Sequence, residues 1–451
     1  MSTIWGKPIV RDHSTLKVNW PIIDESDRDS VIRAFDCREF SGRGSVLISQ
    51  LETDFAKYFG VKHATALNSG TAALHAALFS LDIAPGDEVI VPNLTFIAPA
   101  MAAIHNRCRP RFADVDKRTY NITADSIEKE ITPRTKAVIV VHMHGTPVDL
   151  DPVLELQKKY NFKLIEDVAQ APGARYKGRL VGSFGDAAIF SLMSQKNLAT
   201  CGECGVLLNH SLEAKNKAEM LRIYGEVLDN TGDRKYNSYT LGWNYTLNPI
   251  QASMAINQLT KFDSLTKELQ RAGENWIKKL TQFHWIETPL YDSDFEGVFH
   301  FFRIRIRSDH FNQPNNGRLR LAIQNALAAE GLNTRLYQNC PLSMQPFFLN
   351  MNNSTNQIEQ QLESFPNTID ILRNTLILGA NGSSPAYLLS PGTIDAYVKG
   401  LVKIENHIDE IIDYSNSLHY EEPWEETPKI TDSFGVTYTD NSPSLQYEAA
   451  T

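Results

Sequence analysis

The sequence predicts an α/β fold, with a large three-layer domain built on a mostly parallel sheet and a smaller C-terminal α+β domain. Short strands and helical segments alternate along residues 63–166, which is the rhythm of a sheet covered by helices on both faces. The predicted strand 137–142 is continuously apolar up to residue 141, as expected for a parallel strand buried on both faces. After residue 299, an alternating strand mixes with amphipathic helices, which indicates the second domain.

The individual elements follow from apolar periodicity and from turn residues between the periodic segments. An irregular arm precedes two helices at 25–35 and 49–59. The predicted strands are 63–67, 88–91, 111–115, 137–142, 162–166, 187–190 and 206–208, and the helices between them are 71–81, 95–106, 125–131 and 152–160. A long helix at 245–265 leads into the second domain, for which we predict a strand at 299–306 and helices at 318–330 and 394–412.

We predict domain boundaries at 1–262 for the large domain with its arm and at 263–415 for the small domain. Residues 416–451 contain seven acidic residues and one lysine. Such a segment has too little apolar surface and too much like charge to form a core. An acidic, poorly ordered tail is therefore expected there.

Composition excludes several classes of protein. The chain has 451 residues, of which 42% are hydrophobic, and a net charge of -9. Nucleic-acid-binding proteins usually present a basic face, so no nucleic-acid partner is expected. The chain has no run of about 18 apolar residues, the length that a membrane span requires, and no membrane association is expected. Its five cysteines, an odd number, suggest reduced thiols and a cytoplasmic location.

Lys196 is the candidate for the reactive group. It lies on a loop between two apolar runs that predict strands, 187–190 and 206–208. A lysine held between rigid elements can lose solvation, which favours its neutral, nucleophilic form. The ordinary alternative is a solvated loop lysine.

Other candidate residues are of the types that bind a ligand with a phosphate group and a flat ring. Gly70 and Thr71 open a predicted helix after a strand, where free amides can bind phosphate, although a plain helix cap is an alternative. Asp167 ends a buried strand and can face a protonated ring nitrogen, and Gln170 can reach an oxygen on the same ring. Asp167 can instead be a helix cap.

Phe96 follows another strand end and can stack on a ring, or can be an ordinary core residue. Together with Ser191, these residues predict a site for pyridoxal 5'-phosphate. No metal site is predicted, because the Cys201 and Cys204 pair has no second pair of ligands at similar spacing. A redox role for these cysteines and a tight turn stay open as alternatives.

The chain resembles the DegT/StrS-type sugar and cyclitol aminotransferases over residues 18–413. These are pyridoxal phosphate enzymes of fold type I, related in fold to aspartate aminotransferase. The resemblance lies in stretches 68–74, 85–90, 166–171, 190–205 and 241–252, which occur in the same order. Two positions depart from the family pattern: Cys204 replaces a glycine, and Thr246 replaces a frequent arginine.

The resemblance implies a role for each candidate. Lys196 would bind the cofactor covalently and move protons, Asp167 would face the ring nitrogen, and Gln170 would contact the ring hydroxyl. The other implied contacts are ring stacking by Phe96, phosphate binding by Gly70, Thr71 and Ser191, and phosphate binding in the neighbouring subunit of a homodimer by Asn244. From the residues alone, Asn244 is a turn residue before the long helix.

The expected function is transfer of an amino group from glutamate or glutamine to a keto sugar in the biosynthesis of an amino sugar or natural product. The resemblance implies a nucleotide-linked keto sugar, the commonest substrate class of the family. A free keto-cyclitol is the alternative acceptor, because residues 191–196 resemble the cyclitol branch. A dehydratase on the same fold and a non-catalytic regulator that binds the cofactor are further alternatives. The retained Lys196 argues against the dehydratase.

Overall fold

A computed structural model of the chain describes residues 8–10, 19–227, 236–351, 358–379, 385–390, 392–422, 424, 430–431 and 437–438. Its helices are α1 (Glu25–Asp36), α2 (Val46–Phe59), α3 (Gly70–Ser80), α4 (Ala98–His105), α5 (Ala124–Glu130), α6 (Leu150–Tyr160), α7 (Leu212–Arg222), α8 (Pro249–Leu280), α9 (Arg318–Ala329), α10 (Pro346–Met351), α11 (Ile358–Ser364), α12 (Pro366–Asn374), α13 (Thr393–Asn406) and α14 (Ile408–Ser417). Its strands are β1 (His63–Leu67), β2 (Glu88–Pro92), β3 (Arg109–Ala113), β4 (Thr135–Val141), β5 (Lys163–Asp167), β6 (Arg175–Tyr176), β7 (Arg179–Leu180), β8 (Ala187–Ser191), β9 (Gly205–Asn209), β10 (Ile286–Glu287), β11 (Phe295–Glu296), β12 (Arg303–Ile306), β13 (Thr334–Arg335), β14 (Thr375–Leu378), β15 (Ile430–Thr431) and β16 (Thr437–Tyr438).

Seven strands form the central sheet in the order β1-β9-β8-β5-β4-β2-β3. Strands β8, β5, β4, β2 and β3 pair in parallel, and β9 runs antiparallel to both of its neighbours. The predicted α/β fold with a mostly parallel sheet is therefore confirmed. The carboxyl ends of β5 and β8 meet at one edge, which is where ligands collect in sheets of this kind.

Helices cover both faces of this sheet because successive side chains of a strand point to opposite sides. On β4, Val138 and Val140 face a core that α2, α6 and α8 complete. Ala137 and Ile139 face the opposite core, which α3, α4 and α7 complete. The continuous apolar run in β4 thus supplies both cores at once.

A smaller, antiparallel sheet follows in the order β10-β12-β14-β13, and α9 and α13 pack against it around a core of its own. Helix α8 connects the two cores: Phe262 packs in the core of the large sheet, whereas Leu269 and Trp276 pack in the second. The proposed domain division between residues 262 and 263 stays a prediction.

Several predicted boundaries were wrong. Helix α8 begins at Pro249 rather than 245, because the Asn248 side chain caps Ile250 N–H and proline favours the first turn, and it continues to Leu280. The predicted helix 394–412 divides at His407, whose φ of -121° is not helical. His407 contacts Glu410 in the first turn of α14, where an acidic residue favours a new helix start.

Two further corrections concern the site. Helix α4 begins at Ala98 rather than 95, since Pro99 is in its first turn, and this leaves Phe96 on a loop. Strand β12 begins at Arg303 rather than 299, because Val298 N–H bonds to Gly145 C=O and Phe299 has a φ of 48°. His300 and Phe301 therefore turn towards the large sheet.

The predicted disordered tail lies largely outside the described residues. Of its described part, residues up to Ser417 belong to α14, and Ile430–Thr431 pairs with Thr437–Tyr438. Within the described ranges, no helix combines the length and apolar character needed to cross a membrane.

Candidate active site

A cavity of ≈ 380 Å³ opens at the carboxyl edge of the central sheet. This volume is in the range of pockets that hold small ligands. The cavity is lined by seven of the eight predicted site residues: Gly70, Thr71, Phe96, Asp167, Gln170, Ser191 and Lys196. Asn244 does not line it. The roles predicted for these residues stay predictions, but the structure brings the seven together.

Lys196 lies on the loop between the antiparallel strands β8 and β9, as the sequence predicts. The backbone hydrogen bonds that shape this loop include Lys196 N–H to Met193 C=O, Ser194 N–H to Gly202 C=O, and Leu192 N–H to Cys204 C=O. Burial lowers the pKa of the Lys196 amine, and the negative charges of Asp167 and Glu203 oppose this effect in part. The amine is therefore more easily neutral than that of a solvated lysine.

Two long-range contacts anchor the same loop. The Asn197 side chain donates to Val298 C=O at 2.9 Å, and its Oδ1 lies 2.8 Å from His300 Nδ1. The Trp20 indole N–H donates to Lys196 C=O at 3.1 Å. The reactive lysine is thus held from the large sheet, from the second sheet and from the N-terminal arm.

Asp167 ends β5 and is 5% exposed. Its Oδ1 accepts a hydrogen bond from Ala169 N–H at 2.9 Å. Burial raises the pKa of the carboxyl group, and the positive charge of Lys196 opposes this effect in part. A buried carboxylate in this position is stabilised by a cation in the cavity, which is what a protonated ring nitrogen would supply.

The preceding carboxylate, Glu166, has a different environment. It accepts hydrogen bonds from Gly182, Phe184 and Gly185 N–H groups at 2.7 to 2.8 Å, and His142 Nε2 lies 3.2 Å away. Because Val148 N–H donates to His142 Nδ1, the ring proton is on Nε2 and is donated to Glu166. Burial alone would raise the pKa of Glu166, but these donors lower it. Protein donors thus surround the carboxylate of Glu166, and Asp167 is the carboxylate that lines the cavity.

The first turn of α3 forms the candidate phosphate-binding site. Ser69 caps the helix, with its Oγ accepting from Ala72 N–H at 3.1 Å. The Gly70 and Thr71 amides have no carbonyl inside the helix to bond, as is general for a first turn. A Cβ on Gly70 would lie 2.8 Å from Ser191 Cβ, so glycine is needed for this close approach. The turn and the Ser191 hydroxyl together surround a position for an anion.

The cavity also contains residues that sequence reasoning missed. His300, Phe301 and Tyr337 line it, although all three belong to segments near the second sheet. The local sequence carries no signal for this, since each reads as an ordinary apolar or loop position. Among the described residues, no group of three or more His, Cys, Asp or Glu is placed to hold a metal ion.

The remaining predictions have mixed outcomes. Phe96 lines the cavity and is 61% exposed, so that its predicted stacking stays a prediction.

Cys201 is exposed and Cys204 is buried, and both are free thiols. Burial raises the pKa of Cys204, which disfavours the reactive thiolate and supports the interpretation as a tight turn.

Comparisons with known proteins agree with this geometry. Residues 21–382 match the model of the DegT/DnrJ/EryC1/StrS aminotransferase family. GDP-perosamine synthase of Caulobacter vibrioides is 41% identical over 296 residues, which cover 65% of this chain and 78% of that protein. UDP-N-acetyl-3-dehydro-alpha-D-glucosamine 3-aminotransferase of Acidithiobacillus ferrooxidans is 36% identical over 298 residues, 66% of this chain and 76% of that protein.

A solved structure, S. venezuelae DesV in complex with a ketimine intermediate, superposes with a TM-score of 0.73 at 27% identity and covers 86% of this chain and 98% of that chain. The family match spans most of the chain and includes every predicted site residue. The protein therefore belongs to the DegT/DnrJ/EryC1/StrS aminotransferase family and is a transaminase.

Proposed function

We propose that this transaminase uses pyridoxal phosphate to move an amino group from glutamate or glutamine to a nucleotide-linked keto sugar. The observation that carries the proposal is that Lys196, Asp167 and the first turn of α3 share one cavity. The sugar is supported by the names of the two relatives, which contain GDP- and UDP-linked compounds.

The residues of the cavity fit this cofactor. The amides of Gly70 and Thr71, with the Ser191 hydroxyl, would bind its phosphate. Asp167 would pair with the ring nitrogen, and Gln170 would contact the ring hydroxyl. Phe96 would cover one face of the ring. The fit rests on a buried carboxylate that lacks a full set of donors and on a glycine whose Cβ would lie 2.8 Å from Ser191 Cβ, so that the first turn of α3 and Ser191 can approach each other.

When bound, pyridoxal phosphate supplies an aldehyde that carries the amino group and a ring that accepts electrons. The Lys196 amine, which burial makes more easily neutral by lowering its pKa, would hold the cofactor covalently. Lys196 Nζ would also act as the general base and then the general acid that moves a proton during the transfer. Asp167 keeps the ring nitrogen protonated, because a nearby negative charge favours the charged form.

We further propose that the protein acts as a homodimer. Asn244 lies outside the cavity of its own chain, which leaves it available to a neighbouring one. Large apolar side chains are exposed nearby and on the first helices, including Tyr239 at 68%, Leu241 at 59% and Val46 at 71%. Exposed apolar surface of this kind is typical of an interface. The cytoplasmic location stays a prediction.

The test uses purified protein loaded with pyridoxal phosphate. L-Glutamate and L-glutamine are added separately, and release of the keto acid is measured. The aminated enzyme is then given a GDP-linked keto sugar, a UDP-linked keto sugar or a free keto-inositol. Product from a nucleotide-linked sugar supports the proposal, product from keto-inositol alone favours the cyclitol alternative, and absence of keto acid release contradicts an aminotransferase with these donors. Lys196→Ala is the inactive control.

A further inference from the structure

Tyr337 lines the active-site cavity, and its hydroxyl bonds the lining residue Gln170, although Tyr337 follows β13 of the second sheet. Its ring is held on two sides. The His144 ring lies 4.6 Å from it, centroid to centroid, at 84°, and the Phe301 ring lies 5.5 Å away at 52°. The edge-to-face contact with His144 and the tilted contact with Phe301 together limit ring movement. The position of the hydroxyl is therefore determined by packing.

Hydrogen bonds determine which way this hydroxyl donates. His144 N–H donates to Gln170 Oε1 at 2.8 Å, which assigns the two ends of the Gln170 amide. Gln170 Nε2 then donates to Tyr337 Oη at 2.9 Å. Because the hydroxyl accepts from Gln170, its own hydrogen is left for another acceptor. In the part of the chain that the structure describes, no protein acceptor bonds to it.

The hydroxyl stays protonated under ordinary conditions. Burial raises the pKa of Tyr337, and the negative charge of Asp167 raises it further, whereas the hydrogen bond from Gln170 opposes these effects. Tyr337 is thus a neutral donor beside the carboxylate that would face the ring nitrogen.

We infer that Tyr337 is a further cofactor-binding residue, whose hydroxyl donates a hydrogen bond to the ring oxygen that Gln170 would also contact. The inference rests on the proposed function, because that oxygen belongs to pyridoxal phosphate. The reason is that Tyr337 and Gln170 are hydrogen-bonded neighbours. One Gln170 Nε2 hydrogen bonds the Tyr337 hydroxyl, and the other would bond the ring oxygen, so the Tyr337 hydroxyl would lie close to that oxygen as well. The small sheet thereby contributes directly to the cofactor site.

A donor to the ring oxygen withdraws negative charge from it. Without the donor, the proton that this oxygen would share with the Lys196 nitrogen is lost less easily. The pH-dependent change in the absorbance of the bound cofactor would then occur at higher pH. We expect Tyr337→Phe to raise the midpoint by about one pH unit, because a hydrogen bond to a charged group changes a proton equilibrium about tenfold.

The experiment compares wild type, Tyr337→Phe and a matched control, Tyr120→Phe, each loaded with pyridoxal phosphate. Tyr120 is also buried, its ring lies 5.9 Å from that of His144, and its hydroxyl bonds Thr375 outside the cavity. The absorbance of the bound cofactor is recorded from about pH 5 to about pH 10, so that the midpoint of its pH-dependent change can be determined. The control is expected to keep the wild-type midpoint.

Each outcome decides a different claim. If wild type binds no pyridoxal phosphate, the proposed function fails. If wild type binds it and Tyr337→Phe has the same midpoint as wild type and control, the role of Tyr337 is overturned while the proposed function stands. Should Tyr337→Phe fail to fold, Tyr337→Leu, which also lacks the hydroxyl, decides the question by the same shift. Tyr337→His, which restores a donor, is expected to move the midpoint back towards wild type.

Discussion

Two buried asparagines allow a direct test of how the loop of Lys196 is held. Asn197 is 1% exposed and bonds Val298 C=O and His300 Nδ1 at 2.9 and 2.8 Å. Asn209 ends β9 and is 0% exposed, but neither side-chain polar atom has a hydrogen-bond partner among the described residues. Leucine has a similar size to asparagine. Asn197→Leu removes two hydrogen bonds, and Asn209→Leu removes none.

The expected free-energy changes differ in size and in sign. Asn197→Leu leaves a carbonyl and a ring N–H buried without partners, and each unpaired group costs about 1–3 kcal/mol. Burial of the leucine side chain offsets part of this, so we expect a loss of about 2–4 kcal/mol in the free energy of unfolding. Asn209→Leu removes an amide that is buried without compensation, and we expect no change or a gain of about 1 kcal/mol.

The assay is urea unfolding of both variants and wild type at one protein concentration, with comparison of midpoints at equal slope. Asn197→Leu is also expected to slow cofactor loading, because the neighbouring Lys196 loses an anchor, whereas Asn209→Leu is not. Equal destabilisation by the two substitutions would refute the reasoning, since it would mean that hydrogen-bond partners do not distinguish these positions.

Three further predictions follow from burial and exposure. The rate of pyridoxal phosphate loading should reach its plateau below pH ~10.4, the pKa of an ordinary lysine, because burial lowers the pKa of Lys196 and the neutral amine appears at lower pH; a plateau only at or above that value would contradict this. In the folded protein, a thiol reagent should modify Cys201 quickly and Cys204 only upon unfolding, and fast modification of both would count against the buried turn. Val46 is 71% exposed at the start of α2, and Val46→Glu should lower the mass measured by sedimentation to that of a monomer, because it places a charge in the proposed apolar interface. The monomer should still fold, since an acidic residue is favourable in the first turn of a helix. An unchanged mass would exclude this surface as the interface.

The parts of the site that depend on the order of neighbouring residues could be predicted from the amino-acid sequence. Strand and helix periodicity is a property of neighbouring residues, so the ends of β5 and β8 and the start of α3 could be predicted. Those ends carry Asp167, Ser191 and Gly70, and the parallel sheet brings them to one edge. Boundaries that depend on caps or on packing, such as the start of α4 and the break at His407, were missed.

The remaining features of the site depend on how distant segments pack together. Adjacent residues of a strand face opposite sides, but only the packed sheet shows that Glu166 is saturated by backbone donors and that Asp167 faces the cavity. Tyr337 reaches Gln170 across 167 positions of the chain, and His300 reaches Asn197 across 103. Such contacts depend on how two separate sheets pack together, and no pattern within a few neighbouring residues encodes that arrangement.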